Sequence, residues 1–216
     1  SFGGYRTIVV GILSAILFFA GAVPARAAIV QSAPPIDGFF ESNPSVGGGT
    51  IIPLIQFRLM QSTGSDTLSK VGIQLIASTT MSAGEITRIS LWKESGAHPG
   101  FQVSEDTFLS GAASTSPDVI NGSLIILQPT SAVSVGTTGV EFFVIASTTA
   151  TEGLTNGHAF NAKLLDNYAS TTSGGIGTAF SSNKKINIRQ TIPVKISEIE
   201  AGTATNSSDE FIELYN

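Results

Sequence analysis

The chain has 216 residues, no cysteine and a formal net charge of −5. The lack of cysteine excludes disulfides, thiolate nucleophiles and cysteine-ligated metal sites. The acidic balance argues against nucleic-acid binding, which needs clustered lysine and arginine. Charged residues make up 12% of the chain, about half the usual share. This composition is typical of an exported β-rich protein and not of a helical enzyme.

Residues 1–27 have the three parts of a secretory signal peptide. Arg6 supplies the positive charge, Ile8–Val23 is a mostly apolar run without charges, and Ala25–Ala27 matches an A-x-A cleavage site. We expect a signal helix, cleavage after Ala27, and export through a Sec-type route to the cell surface or the exterior. An uncleaved anchor is the alternative, but a spanning helix needs about 20 apolar residues. Cleavage removes Arg6 and Arg26, so the net charge becomes −7 (−5 − 2), which argues against adsorption to anionic membranes.

Residues 28–50 are interpreted as a leader or linker in which one short strand pairs with the main sheet. They contain three prolines and the run Gly47–Gly49, and they keep no hydrophobic period.

From residue 51 to residue 190, short apolar runs alternate with turns rich in glycine, serine, threonine and asparagine. The predicted strands cover 51–60, 68–77, 86–93, 119–127, 140–146, 159–165 and 185–189, followed by 194–199 and 210–215. No window has the sustained 3.6-residue stripe of an amphipathic helix. The pattern predicts an all-β fold, with an antiparallel, immunoglobulin-like β-sandwich over 51–190.

Alternation along these strands also predicts which side chains fill the core. The predicted core residues are Leu59, Val71, Ile73, Leu75, Ile89, Leu91, Ile125, Phe142, Val144, Phe160 and Leu164. The strand 140–146 is apolar on both faces, so we expect it at the centre of a sheet, covered on both sides or next to an interface.

The middle of the chain carries three stretches that follow one another in a loose pattern. They are GSDTL at 64–68, VGIQL at 71–75 and ITRISLW at 86–92, the last leading into an acidic loop. In this order they resemble a module found in bacterial surface and secreted proteins. The resemblance covers most of residues 51–190.

The C-terminal residues carry a sharper pattern, ISEI at 196–199 and EFIELYN at 210–216. Together they resemble the opening of a lamin-tail domain. The resemblance implies that 192–216 hold the first strands of a second immunoglobulin-like β-sandwich, with Phe211 and Tyr215 in its core. We expect the rest of that domain beyond Asn216. In bacteria such domains are accessory modules of exported proteins, sometimes beside nucleases or other hydrolases.

The loop 94–106 is the best candidate for a ligand site. Its carboxylates, Glu94, Glu105 and Asp106, are the candidate metal ligands, because Ca²⁺ prefers six to eight oxygen ligands and acidic loops supply them. The loop departs from the usual pattern, since Ala97 and His98 stand where Asx residues are expected. A plain hairpin loop without a metal is the alternative.

Four aromatic residues provide a second candidate. Trp92, Phe101, Phe108 and Phe143 form a carbohydrate-stacking face if their rings lie together at the surface. The alternative is that they are core residues, as aromatic residues of sandwiches usually are.

The sequence offers no catalytic constellation. His98 and His158 are far apart in the chain, and no G-x-S-x-G nucleophile motif is present. We therefore expect a non-catalytic structural, adhesion or interaction module of an exported bacterial protein, with a protein or glycan partner at the cell surface and no resident cofactor. The alternatives are an accessory region of an exported nuclease or protease and a carbohydrate-binding module.

Overall fold

The computed structural model describes residues 29–38, 43–77, 81–82, 84–113, 122, 124–150, 153–190, 195–200 and 211–215. For residues 112, 113, 195–200 and 211–215 it describes the backbone alone. The predicted signal helix at 1–27 lies outside the described residues.

The described elements are strands joined by turns and loops. In chain order they are β1 (Ile29–Asp37), β2 (Ser45–Val46), β3 (Ile51–Gln61), β4 (Asp66–Ala77), β5 (Ile86–Lys93), β6 (Thr107–Ala113), β7 (Ile125–Leu127), β8 (Val133–Val135), β9 (Val140–Thr148), β10 (Ala159–Thr171), β11 (Gly174–Ile176), β12 (Phe180–Ser181), β13 (Ile186–Ile188), β14 (Lys195–Glu200) and β15 (Phe211–Tyr215). In this part of the chain no helix has the length and hydropathy of a membrane span.

The strands form two large sheets and one hairpin. The first sheet has five strands in the order β1-β3-β9-β5-β6. The second has eight, in the order β2-β13-β10-β4-β7, with β11 and β12 paired to β10 and β8 paired to β4. Strands β14 and β15 pair with each other. The pair β2–β13 is parallel and the other described pairs are antiparallel, which confirms the all-β, antiparallel prediction.

One hydrophobic core receives side chains from both large sheets. The ring of Phe57 in the first sheet stacks on Phe142 with centroids 5.3 Å apart, and it meets the edge of Tyr168 from the second sheet at 5.2 Å. A core filled from the inner faces of two sheets is consistent with a β-sandwich. Every residue of the predicted core lies in this cluster.

Strand β9 occupies the centre of the five-stranded sheet, where its two apolar faces led us to expect it. Phe142 and Val144 point into the core. Because side chains alternate along a strand, Phe143 and Ile145 lie on the opposite face, called here the outer face of the first sheet. Both are nevertheless fully buried.

Two strands arise from the segment interpreted as a leader or linker. β1 pairs with β3 along the edge of the first sheet, with two register shifts. β2 pairs with β13 in the second sheet. Residues of this segment therefore contribute to both sheets, and Ile29 and Val46 are part of the core.

Candidate functional site

The predicted ligand loop, 94–106, connects β5 to β6 at the end of the first sheet and is called here the β5–β6 loop. Its first carboxylate, Glu94, directly follows β5. Glu94 Oε1 accepts the N–H of Gly96 at 3.2 Å, and Oε2 accepts the N–H of Gly100 at 3.1 Å. The side chain therefore ties the start of the loop to its middle.

Asp106 makes equivalent hydrogen bonds at the other end of the loop. It is 8% exposed. Its Oδ1 accepts the N–H of Ser95 at 3.1 Å, and its Oδ2 accepts the N–H of Gln102 at 2.7 Å. Asp106 thus joins both halves of the loop immediately before β6 begins.

Glu94 and Asp106 interact with each other. Burial raises the pKa of the Glu94 carboxyl, and a hydrogen bond with Asp106 and the negative charge of Asp106 raise it further. The N–H groups of Gly96 and Gly100 act in the opposite direction without cancelling this effect. The two carboxyl groups therefore form a pair, and the raised pKa makes Glu94 easier to protonate than an isolated glutamate.

Glu105, the third predicted ligand, faces a different part of the loop. Its Oε2 accepts the N–H groups of Ala97 at 3.1 Å and His98 at 3.3 Å. The imidazole Nδ1 of His98 lies 2.8 Å from Oε1. The side chains of His98 and Glu105 are 74% and 30% exposed, so this pair stands in water at the surface.

The structure thus brings Glu94 and Asp106 together and turns Glu105 towards His98. Five of the six carboxylate oxygens accept a backbone N–H of the loop, and the sixth, Oε1 of Glu105, contacts the His98 ring. Among the described residues, no group of three or more metal-binding side chains is placed to hold an ion. Chemically this arrangement caps backbone donors and fixes the loop, and the Ca²⁺ site remains a prediction from the sequence.

The four aromatic residues singled out in the sequence lie together on the outer face of the first sheet, and we call them the aromatic cluster. In the register of the sheet Trp92 on β5 stands opposite Phe143 on β9 and Phe108 on β6. Trp92 meets Phe101 at 5.2 Å and Phe108 at 5.3 Å, and Phe101 meets Phe143 at 5.7 Å, all edge to face. Edge-to-face pairs stabilise by about 0.5–1.5 kcal/mol beyond the burial of their surface.

The aromatic cluster anchors the β5–β6 loop to the sheet. Phe101 belongs to the loop, and it contacts Trp92 and Phe143 on the strands below. The indole N–H of Trp92 donates to Ser90 Oγ at 2.9 Å, so the polar atom of the ring is already paired within the sheet. The loop is therefore held by carboxylates along its length and by a ring beneath it.

Phe108 is the most exposed ring of the aromatic cluster, at 42%. The guanidinium of Arg88 lies 5.9 Å from its centroid. A Cβ added to Gly111 would lie 3.1 Å from Arg88 Cδ and 3.3 Å from Phe108 Cζ. The ring and the arginine stem therefore flank this exposed glycine on the edge strand β6.

One buried carboxylate, Glu85, has no counterpart among the residues that the sequence singled out. It precedes β5 and is 0% exposed. Its Oε1 accepts the N–H of Thr155 at 2.7 Å. Its Oε2 accepts the N–H of Ser82 at 2.6 Å and lies 2.7 Å from Nδ1 of His158. Each histidine of the chain is thus paired with a glutamate, and the two histidines do not meet.

Comparisons with known proteins add no further constraint. No protein-family model matches the chain, and no curated protein matches it.

Proposed function

We propose that the chain is a non-catalytic structural, adhesion or interaction module of an exported bacterial protein, and that the β5–β6 loop is its recognition surface. The observation that carries the proposal is that Glu94, Glu105 and Asp106 direct their oxygens to N–H groups of their own loop. Binding residues are often placed on loops that a rigid scaffold positions.

A loop fixed in this way is suited to recognition. Its tip exposes His98, Pro99 and Val103, the last at 51%. A partner that binds a preformed loop does not have to order it, and the entropic cost of association falls accordingly. The exposed imidazole and valine would supply one polar and one apolar contact.

The location and the finer architecture belong to the same proposal. The signal-like residues 1–27 support export through a Sec-type route to the surface or the exterior. The lamin-tail resemblance of 192–216 supports an immunoglobulin-like module that continues into a second one. In this context the partner is a protein or a glycan at the cell surface.

A binding experiment with intact bacterial cells tests the proposal. The biotinylated full chain is titrated onto cells, before and after the cells are treated with protease or with periodate. We expect saturable binding, lost after protease if the partner is a protein and after periodate if it is a glycan. The double variant His98→Ser/Val103→Ser should bind at least about fivefold more weakly, as expected of central contact residues.

Val30→Ser is the matched control, because Val30 is 49% exposed on β1, away from the loop. It should bind like the unmodified chain. Equal binding by the loop variant and the control, or no saturable binding to any cells, would rule out the loop as the recognition surface.

A glycan partner is the second candidate, and the exposed ring of Phe108 beside Arg88 favours it. Sugar rings stack on exposed aromatic faces, and arginine supplies donors for hydroxyl groups. A glycan array probed with the full chain would show sugars whose binding Phe108→Ala abolishes. An array without signal would exclude this candidate.

A further inference from the structure

A groove opens on the second sheet where β10 separates from β4. In the register of this pair, Leu164 stands opposite Ile73 and Ala169 stands opposite Val71. Four residues of β10, 165–168, therefore stand opposite the single residue Gly72, and we call these four residues the β10 bulge. Bulges of this kind interrupt the ladder and are frequent beside functional sites.

The β10 bulge is held in a left-handed conformation by the segment that follows it. Asn167 has a φ of +57° and is, among the described residues, the one non-glycine with a positive φ. Its N–H donates to the carbonyl of Gly177 at 2.8 Å, and Asp166 Oδ1 accepts the N–H of Ala179 at 2.9 Å. Asparagine adopts the left-handed region more readily than most residues, and non-glycine residues held in this region cluster at binding sites.

The groove has a volume of about 250 Å³ and combines apolar walls with charged rims. Gly72 forms its floor, because a Cβ there would lie 3.1 Å from Leu124 Cδ1. Leu124 and Ile126 form one wall and are 51% and 45% exposed. Lys70 stands on the β4 side and Asp166 on the β10 side.

The size and the charges of the groove limit what it can bind. Pockets for drug-sized ligands have volumes of about 300–1,000 Å³, so this groove is suited to a single apolar side chain. Lys70 is exposed and makes no ion pair with any described residue. An acidic group next to the inserted side chain would pair with it, while the carboxylate of Asp166 would repel that group from the opposite rim.

We propose that this groove binds an extended peptide segment that inserts one apolar side chain between Leu124 and the β10 bulge and places a neighbouring acidic residue on Lys70. Extended peptides bind along sheet edges, with pockets for alternate side chains providing specificity, and β7, the strand of Ile126, is an edge strand of the second sheet. The site lies on the second sheet and is independent of the β5–β6 loop, so either site can fail its test without affecting the other.

Methyl NMR of the full 216-residue chain tests the proposal. The probe is the acetylated and amidated peptide Ser-Thr-Phe-Asp-Thr-Ser. We expect saturable shifts of the methyl groups of Leu124 and Ile126. The same peptide with Phe replaced by Ser should cause none, and the peptide with Asp replaced by Lys should bind about twofold to fivefold more weakly, the range of one exposed ion pair.

Matched variants separate binding from folding. Ile126→Ser should abolish the shifts of Leu124, whereas Ile76→Ser, which alters an isoleucine 38% exposed on the same face, should retain them. Lys70→Glu should weaken binding by at least about twofold, and Lys163→Glu should not.

Equal shifts with the serine peptide, or none at millimolar peptide, would overturn the proposal. Concentration-dependent shifts of the same methyl groups without peptide would also overturn it, because a second copy of the chain would then occupy the groove.

Discussion

Replacing Glu85 by glutamine removes the charge at a buried point where three segments of the chain meet. The carboxylate accepts the N–H groups of Ser82 and Thr155 and pairs with His158 Nδ1, at 2.6, 2.7 and 2.7 Å. Its side chain is 0% exposed. Water therefore cannot replace a partner that is lost.

The expected loss of unfolding free energy follows from the roles of the two carboxylate oxygens of Glu85. Glutamine keeps one acceptor oxygen and replaces the other with an NH₂ group, so the N–H of Ser82 or of Thr155 loses its acceptor beside a side chain that water does not reach. An unsatisfied buried donor costs about 1–3 kcal/mol, and a hydrogen bond to a charged group contributes about 1.5–3 kcal/mol. We expect Glu85→Gln to lower the free energy of unfolding by about 2–4 kcal/mol.

Urea unfolding at pH 7, followed by the fluorescence of the single tryptophan, measures this loss. Glu105→Gln is the matched control, because Glu105 also pairs with a histidine and accepts backbone N–H groups but is 30% exposed. The control should lose less than about 1 kcal/mol, since water replaces the lost contact. Equal losses in the two variants would refute the assignment of Glu85 as a buried anchor.

Three further results are expected. Burial tends to raise the pKa of Asp66, but hydrogen bonds from Ser173, Thr67 and Thr171 outweigh it and lower the pKa. The ionised Asp66 therefore stabilises the fold fully at pH values above its ordinary pKa of about 3.9. This stabilisation is lost as the pH falls through the lower pKa that Asp66 has in the folded state. Urea titrations from pH 7 to pH 3 measure how much less stable Asp66→Asn is than the unmodified chain. This difference in the free energy of unfolding should become smaller in acid, and a constant difference would contradict the lowered pKa. Phe101→Ala should cost about 1–3 kcal/mol, less than the 3–5 kcal/mol of a fully buried phenylalanine, and should expose the β5–β6 loop to limited proteolysis; an unchanged cleavage rate would count against its anchoring role. Calorimetric titration with Ca²⁺ tests the metal site predicted from the sequence at Glu94, Glu105 and Asp106: a saturable heat that is lost in Asp106→Asn would show the site, and the absence of heat would exclude it.

The strands with regular alternation were predictable from the sequence. Strand β5 covers the predicted 86–93, and β3 and β4 extend their predictions by one residue and by two residues. Apolar residues at every second position give a strand one apolar face to bury. The pattern therefore predicts both the strand and which of its side chains lie in the core.

Strands whose sequences lack regular alternation were not predictable. β6 joins Phe108 and Leu109 to small and polar residues, and it becomes a strand because the preceding strand β5 supplies its ladder. β10 continues to Thr171, well past the predicted residue 165. Asp166 and Asn167 suggest a turn locally, but the hydrogen bonds from Asn167 N–H to Gly177 and from Ala179 N–H to Asp166 hold them as a bulge within the strand.

The candidate site was predictable in part. The sequence singled out the three carboxylates and the four aromatic residues, and spacing could not show that the oxygens face backbone N–H groups or that the rings meet edge to face. Glu85 was missed because a lone glutamate before a strand resembles a surface residue. Its burial depends on Thr155 and His158, which lie about 70 residues away.

The rigidity of the β5–β6 loop is tested most directly by amide hydrogen exchange on the full chain. The N–H groups of Ser95, Gly100 and Gln102 donate to carboxylates of the loop. They should exchange markedly more slowly than the N–H groups of the exposed Val103 and Ser104 at the tip, since exchange reports local opening. Exchange of all five at the rate of an unstructured peptide would contradict a preformed recognition loop.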